Sequence, residues 1–175
     1  PRYSRLPLLV AGLLLGSALL LAQKEAAAPS TKLSDEEMEQ FLRTAKVIQY
    51  KPTSKGITNS LRATLSDGRI THDGHIQTID VSKPVFQGTS GPELNFRDTW
   101  KFNVAAYRLG RMLGLDMIPM SVERKWAGNA AAYTWWVDDV LMDEGTRLSK
   151  KIQAPDPEAW NKQMYVVWIF DQLIY

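Results

Sequence analysis

A chain of 175 residues with 45% hydrophobic content has apolar material for one packed domain and too little length for several. Its formal charge of +2 resides in Arg2 and Arg5; from Gln23 onward acids and bases balance, which argues against a general nucleic-acid binder with a basic face. No cysteine is present, so disulfides, thiolate metal sites and thiol nucleophiles are excluded.

Arg2 and Arg5 precede an apolar run from Leu6 to Ala22 that closes on a small residue, the pattern of a secretory signal peptide. The alternative is an uncleaved membrane anchor, for which this run is at the short limit. Either leader implies export, with membrane contact only if it stays attached. Ala26 to Lys32 reads as a linker. Pro1 in place of methionine, and Tyr175 inside an apolar stretch, read as a fragment cut at both ends.

Ser34 opens S-D-E-E, a capping box with Glu37, and Met38, Phe41, Leu42 and Ala45 form the apolar face of a short helix that should dock on the domain. Lys55 to Asp80 reads as a β-hairpin: Leu61, Ala63 and Leu65 alternate with polar residues, Gly68 serves the turn, and Ile70, Ile76 and Ile79 follow. Gly56 to Ser60 could lay backbone amides near a phosphate or simply begin a strand. His72 to His75, H-D-G-H, holds metal-type ligands without a converging partner cluster, and reads better as a polar bend.

Val81 to Phe96, with Pro84 and Pro92, reads as loop. Asp98 is the expected N-cap of a helix of about sixteen residues, roughly 24 Å long, whose stripe is Phe102, Ala106, Leu109 and Leu113. Ala105 and Ala106 would permit close approach, and Gly114 supplies a left-handed C-cap followed by Leu115. Pro119 blocks further helix, and a strand is expected from Met117 or Ile118 to about Arg124. W-A-G-N then turns into a second strand, Ala131 to Val137, and the acidic run to Glu144 reads as a solvated strand exit. Asp156 and Pro157 start a last helix running to Tyr175, apolar on most faces and expected to be buried from several sides. The order is α, hairpin, α, hairpin, α: an α+β fold with antiparallel hairpins packed on a central helix, plus a late buried helix.

The run D-x-W-K-F-N-V-A-A-Y-R-L-x-R-M-L-G-L-x-x-I-P, the following V-E-R, and the late I-F-D-Q-L-I-Y resemble the N-terminal part of an atypical, exported protein-kinase-like fold. Similar proteins are the secreted Golgi casein kinases and four-jointed-type kinases, with HipA-like and phosphatidylinositol-kinase-like proteins as further relatives. The resemblance spans Phe41 to Tyr175. After the signal peptide over 1–22 and a linker over 23–33, it implies a nucleotide-gripping lobe over 34–144 and the start of a second lobe over 145–175. It also implies ATP with Mg or Mn as cofactors of the complete protein, and a phospho-acceptor of unspecified class.

By this resemblance the hinge that contacts adenine is Trp136, Val137, Asp138 and on to Val140. The catalytic loop would lie beyond Tyr175. Kinases hold nucleotide phosphates with a strand lysine oriented by a helix glutamate; here the matching positions are Gln77 and Asn103, an amide pair that can hydrogen-bond but supplies no cation. Lys83 and Lys101 are candidate substitutes. The competing readings are a pseudokinase or binding module on the same lobe, and an unrelated secreted domain with Trp135, Trp136, Trp160 and Trp168 along a ligand cleft.

Overall fold

The computed structural model describes residues 33–54, 58–88 and 91–174; the expected leader, nearly all of the linker, and Gly56 with Ile57 lie outside the described residues. The architecture is α+β. Helix α1 (Asp35–Thr44) is followed by β1 (Lys46–Pro52), β2 (Leu61–Ser66), β3 (Thr71–Gln77), β4 (Asp80–Gly88) and β5 (Gly91–Thr99). Then come α2 (Lys101–Met112), β6 (Ser121–Trp126), β7 (Asn129–Trp135), α3 (Glu144–Ser149) and α4 (Pro157–Ile174). Five strands form one antiparallel sheet in the order β1-β2-β3-β7-β6, and β4 with β5 makes a separate ribbon. Among the described residues no helix is long and apolar enough to cross a membrane.

Strand alternation divides this sheet into an apolar and a polar face. On the apolar face Ala63, Leu65, Ile76, Val122, Ala131 and Tyr133 are buried against Phe41 and Leu42 of α1 and its C-cap Ala45. The capping box forms as expected, with Glu37 N–H donating to Ser34 Oγ at 3.2 Å and Ser34 N–H to Glu37 Oε2 at 3.0 Å. At the other end of α1, Arg124 on β6 donates to the carbonyls of Leu42 (3.0 Å) and Ala45 (2.8 Å), satisfying acceptors the helix leaves open. The same guanidinium lies over the Tyr133 ring at 4.7 Å. Tyr50 on one edge strand meets Trp126 on the other at 5.0 Å, so the sheet curls far enough for its edges to touch.

The hairpin turn at Gly68 (φ +87°) agrees with expectation, Asp67 Oδ1 accepting from the amides of Arg69 and Ile70. His72 to His75 is not a bend: it is the body of β3, and Gly74 within it faces Leu65 so closely that an added Cβ would stand 3.0 Å from Leu65 Cδ1. Strand β1 had no sequence signal, because an irregularity between Val47 and Gln49 breaks its alternation and Ile48 and Tyr50 stay exposed.

Val81 to Phe96 is a correction as well. It is a two-stranded ribbon, where both strands are edges and can tolerate Pro84 and Pro92. The ribbon also displaces the helix start. Asp98 pairs with Val81 inside β5 and caps nothing; α2 begins after Trp100, whose side chain makes no cap bond, and has 12 residues. Its buried side is Trp100, Val104 and Gly110, whereas Phe102 and Leu113 are half exposed. The close approach falls on Gly110 and not on the two alanines: a Cβ there would lie 2.7 Å from Ile118 Cδ1.

The helix ends as the sequence implies. Gly114 has φ +69°, Leu115 N–H reaches Gly110 O at 2.8 Å and Gly114 N–H reaches Arg111 O at 3.2 Å, the Schellman arrangement. The next strand starts only at Ser121, after a turn holding Asp116 and Met117. Strand β7 stops at Trp135 and the acidic run leaves it as a largely exposed segment, as expected, before Asp143 caps α3, accepting from Thr146 N–H at 2.7 Å. Asp156 caps α4 as expected. That helix is not buried all round: Phe170 is its one buried side chain among the described residues. It meets Leu113 and Leu115 across a shallow cleft and leaves Trp168, Ile169 and Leu173 exposed.

Ala127 and Gly128, between β6 and β7, both have positive φ (+48° and +88°), as a two-residue primed turn demands. Alanine there costs roughly 1–2 kcal/mol. Ala127→Asn is expected to raise unfolding stability by about 0.5–1 kcal/mol; a lowered thermal midpoint would contradict this turn.

Candidate functional site

The polar face carries the candidate site. One line of cross-strand partners runs Lys51, Arg62, His75, Thr134 and Ser121 across all five strands. A neighbouring line contains Thr64 and Asp73, whose carbonyl accepts from Trp136 N–H at 3.2 Å. A cleft of about 560 Å³ opens between Lys51, Ser60, Arg62, His75 and Trp136. At its mouth the Thr53 and Ser60 hydroxyls are 2.9 Å apart, and Thr53 N–H donates to Ser60 O at 3.0 Å. Of the loop between β1 and β2, Asn59 holds a left-handed φ of 52° and the strand begins only at Leu61.

Arg62 is the best-anchored cation of this face. Its Nε donates to Asp73 Oδ2 at 2.6 Å, Thr64 Oγ1 donates to Asp73 Oδ1 at 2.7 Å, and the guanidinium lies 4.2 Å from the Trp136 ring centre. Partial burial pushes the Asp73 carboxyl up, but the Thr64 hydrogen bond and the Arg62 charge outweigh it, and the net pKa is below the usual carboxylate value. Ser121 and Thr134 hydroxyls pair further along the same face.

His75 is desolvated among these groups, which lowers its pKa. Its neutral form is therefore the one the fold favours. The unfolded chain takes up a proton near pH 6.5 while the folded chain resists it, so this contribution to stability is complete above that pH. It declines as pH falls through the depressed folded pKa. His75→Gln should flatten that part of the stability–pH curve, measured by urea unfolding at several pH values; an unchanged slope would contradict it.

Gln77 and Asn103 come together: Asn103 Nδ2 donates to Gln77 Oε1 at 2.7 Å, linking β3 to α2. Around them α2 packs Trp100 and Val104 against Ala132 of β7. Trp136 lines the cleft. Val137 and Val140 are exposed beyond the sheet, and Asp138 engages the other face, its Oδ2 being 2.6 Å from His72 Nε2. The His72 ring stacks on Trp135 at 3.8 Å. His72 and His75 thus stand on opposite faces of β3, and among the described residues no group of three or more His, Asp or Glu could hold a metal ion.

The suggested substitute cations are not at the amide pair. Lys101 binds Asp80 at 3.1 Å, and Lys83 sits on the ribbon, 5.2 Å from the Phe86 ring centre. Nor do the four tryptophans share a cleft: Trp135 packs on Phe41, Trp136 lies on the opposite side of the strand, Trp160 lies under Arg147, and Trp168 is exposed. Arg62 carries no sequence signal of a site, although the alternation that puts Leu61, Ala63 and Leu65 into the hairpin already places it between two core positions; Asp73 and His75 stand out in the sequence only as metal-type ligands within H-D-G-H, which reads there as a bend. Comparison with family models, curated proteins and solved structures finds no match to this chain.

Proposed function

We propose that this chain is the nucleotide-gripping lobe and hinge of an exported kinase-fold phosphotransferase that uses ATP with Mg or Mn in its complete form. The observation that carries the reading is the Asn103–Gln77 hydrogen bond. It joins the third strand of a five-stranded sheet to the helix between the two hairpins, the relationship by which protein kinases align a strand lysine with a helix glutamate. Two further features support it. The β2–β3 and β6–β7 hairpins belong to one sheet, and the segment after β7 leaves beside a cleft that offers an aromatic ring, two cations and hydroxyls. Such a lining suits a nucleotide, whose base can stack and whose phosphates need positive charge. The metal would be held by residues of the second lobe, and the transfer step would belong there too.

A second reading, a pseudokinase or binding module on the same lobe, is favoured by one specific feature: the Gln77–Asn103 pair is uncharged. Thermal unfolding of the complete protein with and without Mg-ATP tests the lobe assignment. A nucleotide site gives stabilisation growing with ligand, about 2.7 kcal/mol at a hundredfold excess over Kd. No shift at millimolar Mg-ATP would contradict the first reading and favour the second. A shift at near-micromolar Mg-ATP would speak against the second.

A further inference from the structure

The cleft poses a question of charge. Bound phosphate needs a cation, yet Gln77 and Asn103 satisfy one another as neutral amides, Lys101 is paired with Asp80, and Lys83 stands on the separate ribbon. Arg62 differs from all of these. It stands on the polar face of β2, directly across from His75, which lies two residues from Gln77 along β3. Its Nε is used by Asp73 and its flat face by Trp136, and among the described residues its two terminal nitrogens have no hydrogen-bond partner. Lys51 is its cross-strand neighbour on β1 and lines the same cleft.

We propose that Arg62 receives the phosphate of a nucleotide bound in this cleft, supplying from β2 the positive charge that kinases take from a lysine on β3. The proposal rests on the nucleotide-lobe reading. A guanidinium presents a planar fork that matches two phosphate oxygens, and one already held by a carboxylate and an indole loses little freedom on binding. Asp73 cancels the charge of Arg62 but not its donors; Lys51 restores a net positive site. Asp73 is thus a positioning residue, and Thr64 holds it in place.

Calorimetric titration of ATP, adenosine and tripolyphosphate tests this on the wild type, on Arg62→Met with Asp73→Asn, and on Arg62→Lys. The double substitution removes both charges together, so no carboxylate is left stranded. The affinity ratio of ATP to adenosine should fall roughly tenfold to a hundredfold in the double variant, and tripolyphosphate binding should disappear. Arg62→Lys, which keeps the charge without the fork, should fall between; this milder variant carries the test if the double one does not fold. An unchanged ratio in either variant would overturn the role of Arg62 while leaving the nucleotide lobe standing. Tripolyphosphate binding that depends on Arg62, in a protein that ignores adenosine, would uphold the anion site and remove the nucleotide reading. A wild type that binds none of the three ligands overturns both.

Discussion

Leu42→Ala is expected to lower the unfolding free energy by about 2–5 kcal/mol, shifting the denaturant midpoint without changing its slope. Leu42 is 0% exposed and belongs to the helix that closes the apolar face of the sheet. Its Cδ2 would lie 3.8 Å from a Cβ on Gly74, where strand backbone bounds the site and cannot move in to fill a void. The carbonyl of the same residue is held by Arg124, which fixes the helix end over Tyr133 and further limits collapse. Domains of this size hold only about 5–15 kcal/mol in all, so the loss is a large share. A change below about 1 kcal/mol would be too small for a buried leucine and would mean that α1 is an appendage and not part of the core.

Gln77→Lys with Asn103→Glu should tighten ATP binding by roughly tenfold to a hundredfold relative to adenosine. The two side chains already meet at 2.7 Å, so a lysine and glutamate there can form an ion pair linking β3 to α2. The lysine then offers its remaining donors to phosphate, and the glutamate keeps it aimed. Gln77→Lys alone should give less, since its ammonium would lack the partner that positions it. The double substitution should also restore part of the ATP preference lost when Arg62 and Asp73 are neutralised together. Titration with ATP and adenosine reads both effects. An ATP preference unaltered by the new cation would show that phosphate does not pass this pair.

Much of the frame was legible because it depends on local rules. Ser34 and Glu37 specify the start of α1, Gly114 the end of α2, Gly68 and W-A-G-N the two hairpin turns, and Asp156 the start of α4. The α+β order follows from those signals. What escaped depends on tertiary context. The ribbon from Asp80 to Thr99 has prolines that deny a central strand but not a free two-stranded one, and its extension through Thr99 moved the start of α2 past Asp98. The buried side of α2 was mistaken because Phe102 and Leu113 are apolar in sequence, whereas the sheet is met by Trp100 and Val104 and the following loop by Gly110. At the site, the amide pair was named only through the resemblance to kinases, and its two members do meet. Arg62 was not, and His75 stands out only within H-D-G-H, which reads as a bend, since a polar residue in an alternating strand looks the same whether it faces bulk water or a cleft.

The central claim is that one sheet, with Gln77, Arg62 and the segment after β7, grips a nucleotide. Amide and side-chain NMR spectra of the protein titrated with a non-hydrolysable ATP analogue and magnesium test it most directly. Saturable shifts are expected to concentrate on Arg62, His75, Gln77, Asn103 and the backbone from Trp136 to Val140, with α1 and its Leu42 contacts undisturbed. Saturable shifts gathered elsewhere, on the β4–β5 ribbon or the exposed side of α4, or no shifts at all, would contradict it.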